Sequence, residues 1–220
     1  MDEAKLQEFM GRLVSDIGAA AMLANVILGD ELGLYKARAD SQPVTPDTFA
    51  SRTGCNPRLV KEWLSAHVAS GYMEHRDGQF VLPEEQALAL AIEDSPVYVA
   101  GGIMVVASMF DDKDKLVAAM RGDVALAWGD HHPCMFSGTE RLFRPGYKSF
   151  LVGQWLPALD GVVAKLEAGA KVADIGCGHG ASTIVMAKAF PASRFDGFDY
   201  HEPSIATATR LARPGMPISH

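Results

Sequence analysis

The run Val172-Ala173-Asp174-Ile175-Gly176-Cys177-Gly178-His179-Gly180-Ala181 restricts the fold more than any other part of this sequence. A short apolar segment enters three glycines spaced two apart. A helical segment, Ala181 to Phe190, leaves them and ends at Pro191. Glycine lets a ligand come close to the backbone, because no Cβ intervenes. The N–H groups of such a loop, and of the helix N-terminus behind it, face that ligand. A second apolar segment, Arg194 to Asp199, and a second helical segment, from Glu202-Pro203-Ser204 to about Ala212, follow at once. Strand, loop, helix, strand, helix is the opening of a parallel α/β sheet.

The glycine spacing alone leaves the ligand open, since Gly176, Gly178 and Ala181 also satisfy the looser dinucleotide fingerprint. Two features disfavour a nicotinamide enzyme. Asp174 lies two residues before the first glycine, and Gly180 adds a third, giving D-x-G-x-G-x-G. The second strand then ends on Asp199, where a carboxylate can accept hydrogen bonds from ribose hydroxyls.

The preceding residues read differently. Residues 5–35 are helical in pattern, with Leu6, Phe9, Met10, Leu13 and Ile17 at spacings of three and four. Ala19 to Leu28 is apolar nearly all round, which predicts burial on several sides or a subunit contact. Thr45 and Pro46 open a short helix as N-cap and N1, and Asn56-Pro57 opens a second, Arg58 to Ser70, that Gly71 ends. Asp77-Gly78 then joins two short strands as a hairpin turn. Helix, turn, helix, hairpin is the order of a winged helix. Further helices are expected over residues 83–128, the apolar one opened by Ser95-Pro96. Residues 129–150 are expected to be irregular and aromatic, and residues 151–168 helical up to Gly169.

Charge weighs against the most obvious use of a winged helix. Residues 1–95 carry 8 basic and 15 acidic side chains, net −7, whereas residues 96–170 are −1 and residues 171–220 are +1. A DNA-reading surface needs basic residues against phosphates. The second helix offers Arg58 and Lys61 against Glu62, and Asp77 sits in the wing turn. A DNA-binding regulator is therefore the alternative reading, and nucleic acid is not the expected partner. The acidic start Met1-Asp2-Glu3-Ala4-Lys5 lacks the basic-then-apolar order of a signal peptide. The apolar stretch Pro96 to Phe110 is broken by Gly101 and Gly102 and falls short of the roughly 20 residues of a membrane span. Three widely spaced cysteines give no disulfide framework or metal knuckle. A cytoplasmic protein is expected, without metal or membrane.

The glycine run resembles motif I of class I S-adenosylmethionine-dependent methyltransferases. The wider sequence is similar to a bacterial group in which a winged-helix domain of dimerisation type precedes the methyltransferase domain. The matching stretches are Leu142 to Tyr147, Trp155 to Gly161 and Gly197 to Ile205. The resemblance implies the α/β class, a mostly helical N-terminal winged-helix domain followed by a partial Rossmann-like methyltransferase domain. It implies a winged-helix domain over 1–95, a helical linker and cap over 96–170, and a partial cofactor-binding domain over 171–220. It implies S-adenosylmethionine (SAM) as cofactor, a small-molecule acceptor and a homodimer. Gly176, Gly178 and Gly180 would line the amino acid and sulfonium part of the cofactor, and Asp174 would fix the loop and the methionine moiety. Asp199 would hold the ribose, and Tyr200 and His201 would lie near the adenine. No catalytic residue is assigned; His131 and His132 are the histidines of the aromatic linker, and a loop pair is the simpler reading of them. Class I methyltransferase sheets have seven strands, and this sequence carries about 40 residues after Gly180. The expectation is a chain truncated after the second strand, weak or inactive by itself, with Arg213 to His220 as a tail.

Overall fold

The computed structural model describes residues 1–122 and 125–213, so most of the expected tail, Pro214 to His220, lies outside the described residues. The chain divides into two units, Met1–Glu93 and a second that begins at Asp94.

The first unit is the winged helix. Helix α1, Glu3–Glu31, is capped by Asp2, whose carboxylate accepts from the N–H groups of Ala4 and Lys5. Helix α2, Pro46–Thr53, starts where expected, with Thr45 accepting from the Thr48 N–H. Helix α3, Pro57–Ala69, is capped by Asn56. The hairpin is β1, Glu74–Arg76, against β2, Gln79–Val81, in antiparallel register Glu74 to Val81. Asp77 and Gly78 turn it with φ of 50° and 77°, the double left-handed geometry that favours Asp-Gly. Helix α4, Glu84–Leu90, follows. The core gathers Val26, Leu34, Tyr35, Phe49, Trp63, Leu64, Phe80 and Leu82. Trp63 also donates its indole N–H to the Asn25 carbonyl, 2.9 Å, which ties α3 to α1.

Within this core His67 is fully buried. Its Nδ1 lies 2.8 Å from the Trp63 carbonyl, which only accepts, so Nδ1 carries the proton. Nε2 then accepts from the Tyr35 hydroxyl at 2.5 Å. Burial pushes the imidazole down to about 4 from its ordinary 6.5. An unfolded chain therefore takes up a proton between these values that the folded unit refuses. The stability His67 contributes is present above about pH 6.5 and lost as pH falls toward 4. Urea unfolding of the first unit should accordingly lose on the order of 2–3 kcal/mol from pH 7 to pH 4.5. His67→Gln should flatten that slope relative to the parent. Equal slopes in the two proteins would place the acid sensitivity elsewhere.

Only one face of α1 is covered within its unit: Met22, Val26 and Gly29 are buried. Within its own unit the run Ala19 to Leu28 is buried at Met22 and Val26 alone, which leaves its other faces to the subunit contact that the same pattern allows. The apolar stripe Leu6, Phe9, Met10, Leu13, Val14 and Ile17 is 40–62% exposed. By length and composition α1 is also apolar enough to cross a membrane, although Arg12 and Asp16 lie inside it.

The second unit holds α5, Ala100–Asp111, and α6, Lys113–Arg121. Helix α5 starts four residues after Pro96, because Ser95 turns the chain first, its hydroxyl accepting from the Val97 N–H. The irregular segment expected over residues 129–150 is largely helix. Helix α7 runs Pro133–Gly146, with His132 as N-cap and Pro133 in its first turn. It passes into a π-helical segment, Tyr147–Trp155. Proline removes an N–H and crowds the carbonyl four residues back, so Pro145 cannot give the Arg141 carbonyl its usual helical bond, and the wider winding begins two residues later. The Leu156 N–H donates to the Leu151 carbonyl, five residues back, as that winding requires. The continuous helix expected over 151–168 breaks at Pro157 to Gly161, and α8 occupies Val162–Ala168.

The α/β part follows as strand β3, Lys171–Ile175, helix α9, Ala181–Ala189, strand β4, Arg194–Phe198, and helix α10, Glu202–Leu211. The strands pair in parallel from Lys171–Arg194 to Ile175–Phe198. Leu156, Leu166 and Phe190 form a small core with Val172, Met186 and Phe195 against it.

Helices α5 and α7 pack backbone to backbone. A Cβ on Gly101 would lie 2.4 Å from the Leu142 nitrogen and 2.6 Å from the Gly138 oxygen. A Cβ on Gly138 would lie 2.8 Å from the Gly101 oxygen.

Candidate functional site

The carboxyl ends of β3 and β4 open onto a cleft of about 760 Å³. One wall is the glycine loop. Gly176, Gly178 and Gly180 have φ of 73°, 53° and 77°, all left-handed, which other residues adopt only with strain. The Phe198 carbonyl accepts from the N–H groups of Gly176 and Cys177, at 2.7 and 3.0 Å, and pins the loop to β4. A Cβ on Gly176 or Gly178 would meet nothing within 4 Å, so both present bare backbone to open space. Gly180 differs: its Cβ would lie 3.1 Å from that of Ala208, so here glycine lets α10 pack against the loop.

The two acids have distinct surroundings. Asp174 accepts from the Ser182 and Thr183 hydroxyls, 2.8 and 2.6 Å, and so fixes the first turn of α9. Asp199 accepts from the Gly178 N–H through one oxygen and from the His201 N–H through the other, both at 2.9 Å. An ionised carboxylate has about four acceptor sites, so each oxygen of Asp199 can take one donor more. Tyr200 lines the cleft and is largely exposed. The His201 ring is engaged behind it, stacked on Phe136 at 4.0 Å and bonded to the Ser204 hydroxyl at 2.8 Å. His179 also lines the cleft. Burial, then His201 and Arg210, lower its pKa against the pull of Asp199, so the neutral ring is favoured. The Cys177 thiol packs against Gly197, and burial followed by Asp174 raises its pKa.

Sequence reasoning missed the opposite wall. Phe136, Thr139, Glu140 and Phe143 face the cleft from α7 with Tyr147 beyond them, and Trp128 completes the wall. Their spacing of three and four was the available signal, once His132-Pro133 is read as a helix start. His131 and His132 do not line the cleft. His132 caps α7, and the His131 Nδ1 is 2.8 Å from Asp112. Asp112 itself carried no signal, being one of three aspartates among Asp111 to Asp114. It is fully buried, and the Lys115 ammonium bonded to it holds its carboxyl well below the usual range, with the His132 N–H and His131 adding to this.

Residues 18–91 match the family model of the Rv2258c-like winged HTH domain. No curated protein sequence matches the chain. Among solved structures, CalO1, a methyltransferase in calicheamicin biosynthesis in its SAH-bound form, is 23% identical over 97% of this chain and 64% of its own, with TM-score 0.62. An O-methyltransferase family protein from Burkholderia thailandensis is 16% identical over 92% of this chain and 59% of its own, with TM-score 0.63. Human N-acetylserotonin methyltransferase in complex with SAM is 18% identical over 96% of this chain and 63% of its own, with TM-score 0.59. The likeness is one of fold: a winged-helix domain followed by a methyltransferase-like, partial Rossmann-like domain. The chain spans about 60% of the length of these structures.

Proposed function

We propose that this chain is a SAM-dependent methyltransferase protein whose glycine loop binds the cofactor and whose α7 wall faces a small-molecule acceptor. The observation that carries the reading is the bare backbone of Gly176 and Gly178 beside the Asp199 carboxylate in one cleft. The cleft volume falls within the range of small-molecule sites. In this reading Gly176 and Gly178 line the amino acid and sulfonium part, and Gly180 keeps the loop seated on α10. Asp174 holds the loop through Ser182 and Thr183. Asp199 takes the ribose hydroxyls, Tyr200 lies along the adenine, and His201 supports it from behind. The bound cofactor supplies an activated methyl group on a sulfonium. The protein's own task is to orient it and exclude water. A neutral His179 suits a neighbouring cation, which a charged imidazole would repel.

Calorimetric titration of the full chain with S-adenosylhomocysteine (SAH) tests this. Hydrogen bonds to a charged group contribute roughly 1.5–3 kcal/mol each. Asp199→Ala should therefore weaken binding about tenfold to a hundredfold, one decade per 1.4 kcal/mol. Absence of binding by the parent would refute the cofactor, and equal affinity in the variant would refute the site.

The same proposal includes a homodimer through α1, whose stripe of six large apolar side chains stays exposed in its own unit. Arg12 and Asp16 within that helix favour a protein contact over a bilayer, where central charges are costly. Light scattering should give twice the 23.6 kDa chain mass, and Leu13→Lys should return it to the single value. A monomer at all concentrations would remove this part. DNA is not proposed as a partner: the wing's Arg76 is ion-paired to Glu74, and Glu62 accompanies Arg58 and Lys61 on α3. The free cysteines suit a reducing compartment, the cytoplasm in this reading.

A further inference from the structure

The buried carboxylate of Asp112 lies outside the cleft, at the junction of α5 and α6, and everything around it donates. Lys115 Nζ is 2.8 Å away, His131 Nδ1 is 2.8 Å away, and the His132 N–H reaches both oxygens at 2.9 and 3.0 Å. Lys115 donates in addition to the Asp130 carbonyl at 2.6 Å. These bonds converge on one short strap, residues 128–132, directly before α7. The strap carries Trp128, whose ring meets His131 edge to face at 5.8 Å and Phe136 at 5.5 Å. Phe136 in turn stacks on His201, next to the end of β4. Both Trp128 and Phe136 line the cleft.

We infer that Asp112 is a positioning residue for the cleft: by holding His131, His132 and Lys115 it fixes the strap that sets Trp128 and the N-terminal end of α7 against the ligand. The ligand part of this inference rests on the cofactor reading; the strap part does not. A purely local role at the α5–α6 junction would affect stability and leave the Trp128 ring where it is. An amide replaces the carboxylate only poorly: it removes the charge that strengthens these bonds, and its NH₂ group finds an acceptor only if His131 turns to the tautomer with Nδ1 unprotonated.

Fluorine NMR on protein labelled with 5-fluorotryptophan separates the two roles. The chain has three tryptophans, and Trp128→Phe assigns the relevant resonance. In Asp112→Asn the Trp128 resonance should move toward that of the free amino acid, while those of Trp63 and Trp155 stay. SAH affinity should fall about tenfold. A folded Asp112→Asn protein with an unmoved Trp128 resonance overturns the inference, and so does a moved resonance with unchanged SAH affinity. If Asp112→Asn does not fold, Lys115→Ala, on the exposed side of α6, should give the same displacement to a smaller extent. An unmoved resonance there overturns the inference too. If the parent binds no SAH, the cofactor reading fails by itself, and the Trp128 resonance decides whether Asp112 holds the strap.

Discussion

Gly178→Val should abolish SAH binding while leaving a folded chain. At φ of 53° a β-branched residue sits in the left-handed region at a cost of about 1–3 kcal/mol. Part of that is met by relaxing the loop, which moves the N–H that Gly178 gives to Asp199. The added methyl groups also enter the cleft, since the Cβ direction at Gly178 is open. Both effects fall on the ligand site. Gly161→Val provides the control. Gly161 has φ of 70° and open space at its Cβ, so the strain is alike, but it lies in the turn before α8. Calorimetry should find parent-like affinity in Gly161→Val and none in Gly178→Val. Loss in both would mean that strain alone, and no proximity to ligand, explains the effect.

The largest stability effect is expected at Gly101. Overpacking a core commonly costs about 1–3 kcal/mol when side chains can give way. Here a Cβ would meet the backbone of Leu142, Gly138 and Arg141, none of which can rotate aside. Gly101→Ala should thus destabilise the second unit by about 3 kcal/mol or more, lowering its melting temperature on the order of ten degrees. The neighbouring Gly102→Ala should be neutral or stabilising. Its Cβ would touch only the Leu142 methyl groups, at 3.5 and 3.7 Å, and alanine gains up to about 1 kcal/mol over glycine in a helix. Thermal unfolding by circular dichroism distinguishes them. Equal melting temperatures would show that α5 and α7 separate at little cost.

How far the sequence could be read depended on whether the deciding interaction was local. Thr45-Pro46, Asn56-Pro57 and Asp77-Gly78 each act within four residues, and each element starts or turns where those residues predict. The strand, glycine loop and helix from Lys171 to Ala189 were legible for the same reason. Residues 133–150 were not. Their aromatic side chains and Pro145 suggest irregularity, whereas the close crossing that seats α7, Gly101 against Gly138, joins residues 37 apart. Asp112 was invisible because its meaning comes from His131 and His132, about twenty positions away. Which faces of α1 its own unit covers was not legible, because an all-round apolar pattern says that a surface gets covered without saying by which molecule.

Helix α7 has two faces with different dependencies. Gly138, Arg141, Leu142 and Pro145 lie toward α5 or are buried, whereas Phe136, Thr139, Glu140 and Phe143 line the cleft. Because main chain against main chain sets the height of the helix, the cleft-facing side chains do not have to hold it in place. Phe136 is packed between Trp128 and His201, but the side chains at 139, 140 and 143 are free to drift without moving the wall that bears them. Such a separation makes the cleft evolvable: a lineage can reshape its lining by changes at 139, 140 and 143 while the scaffold keeps its stability.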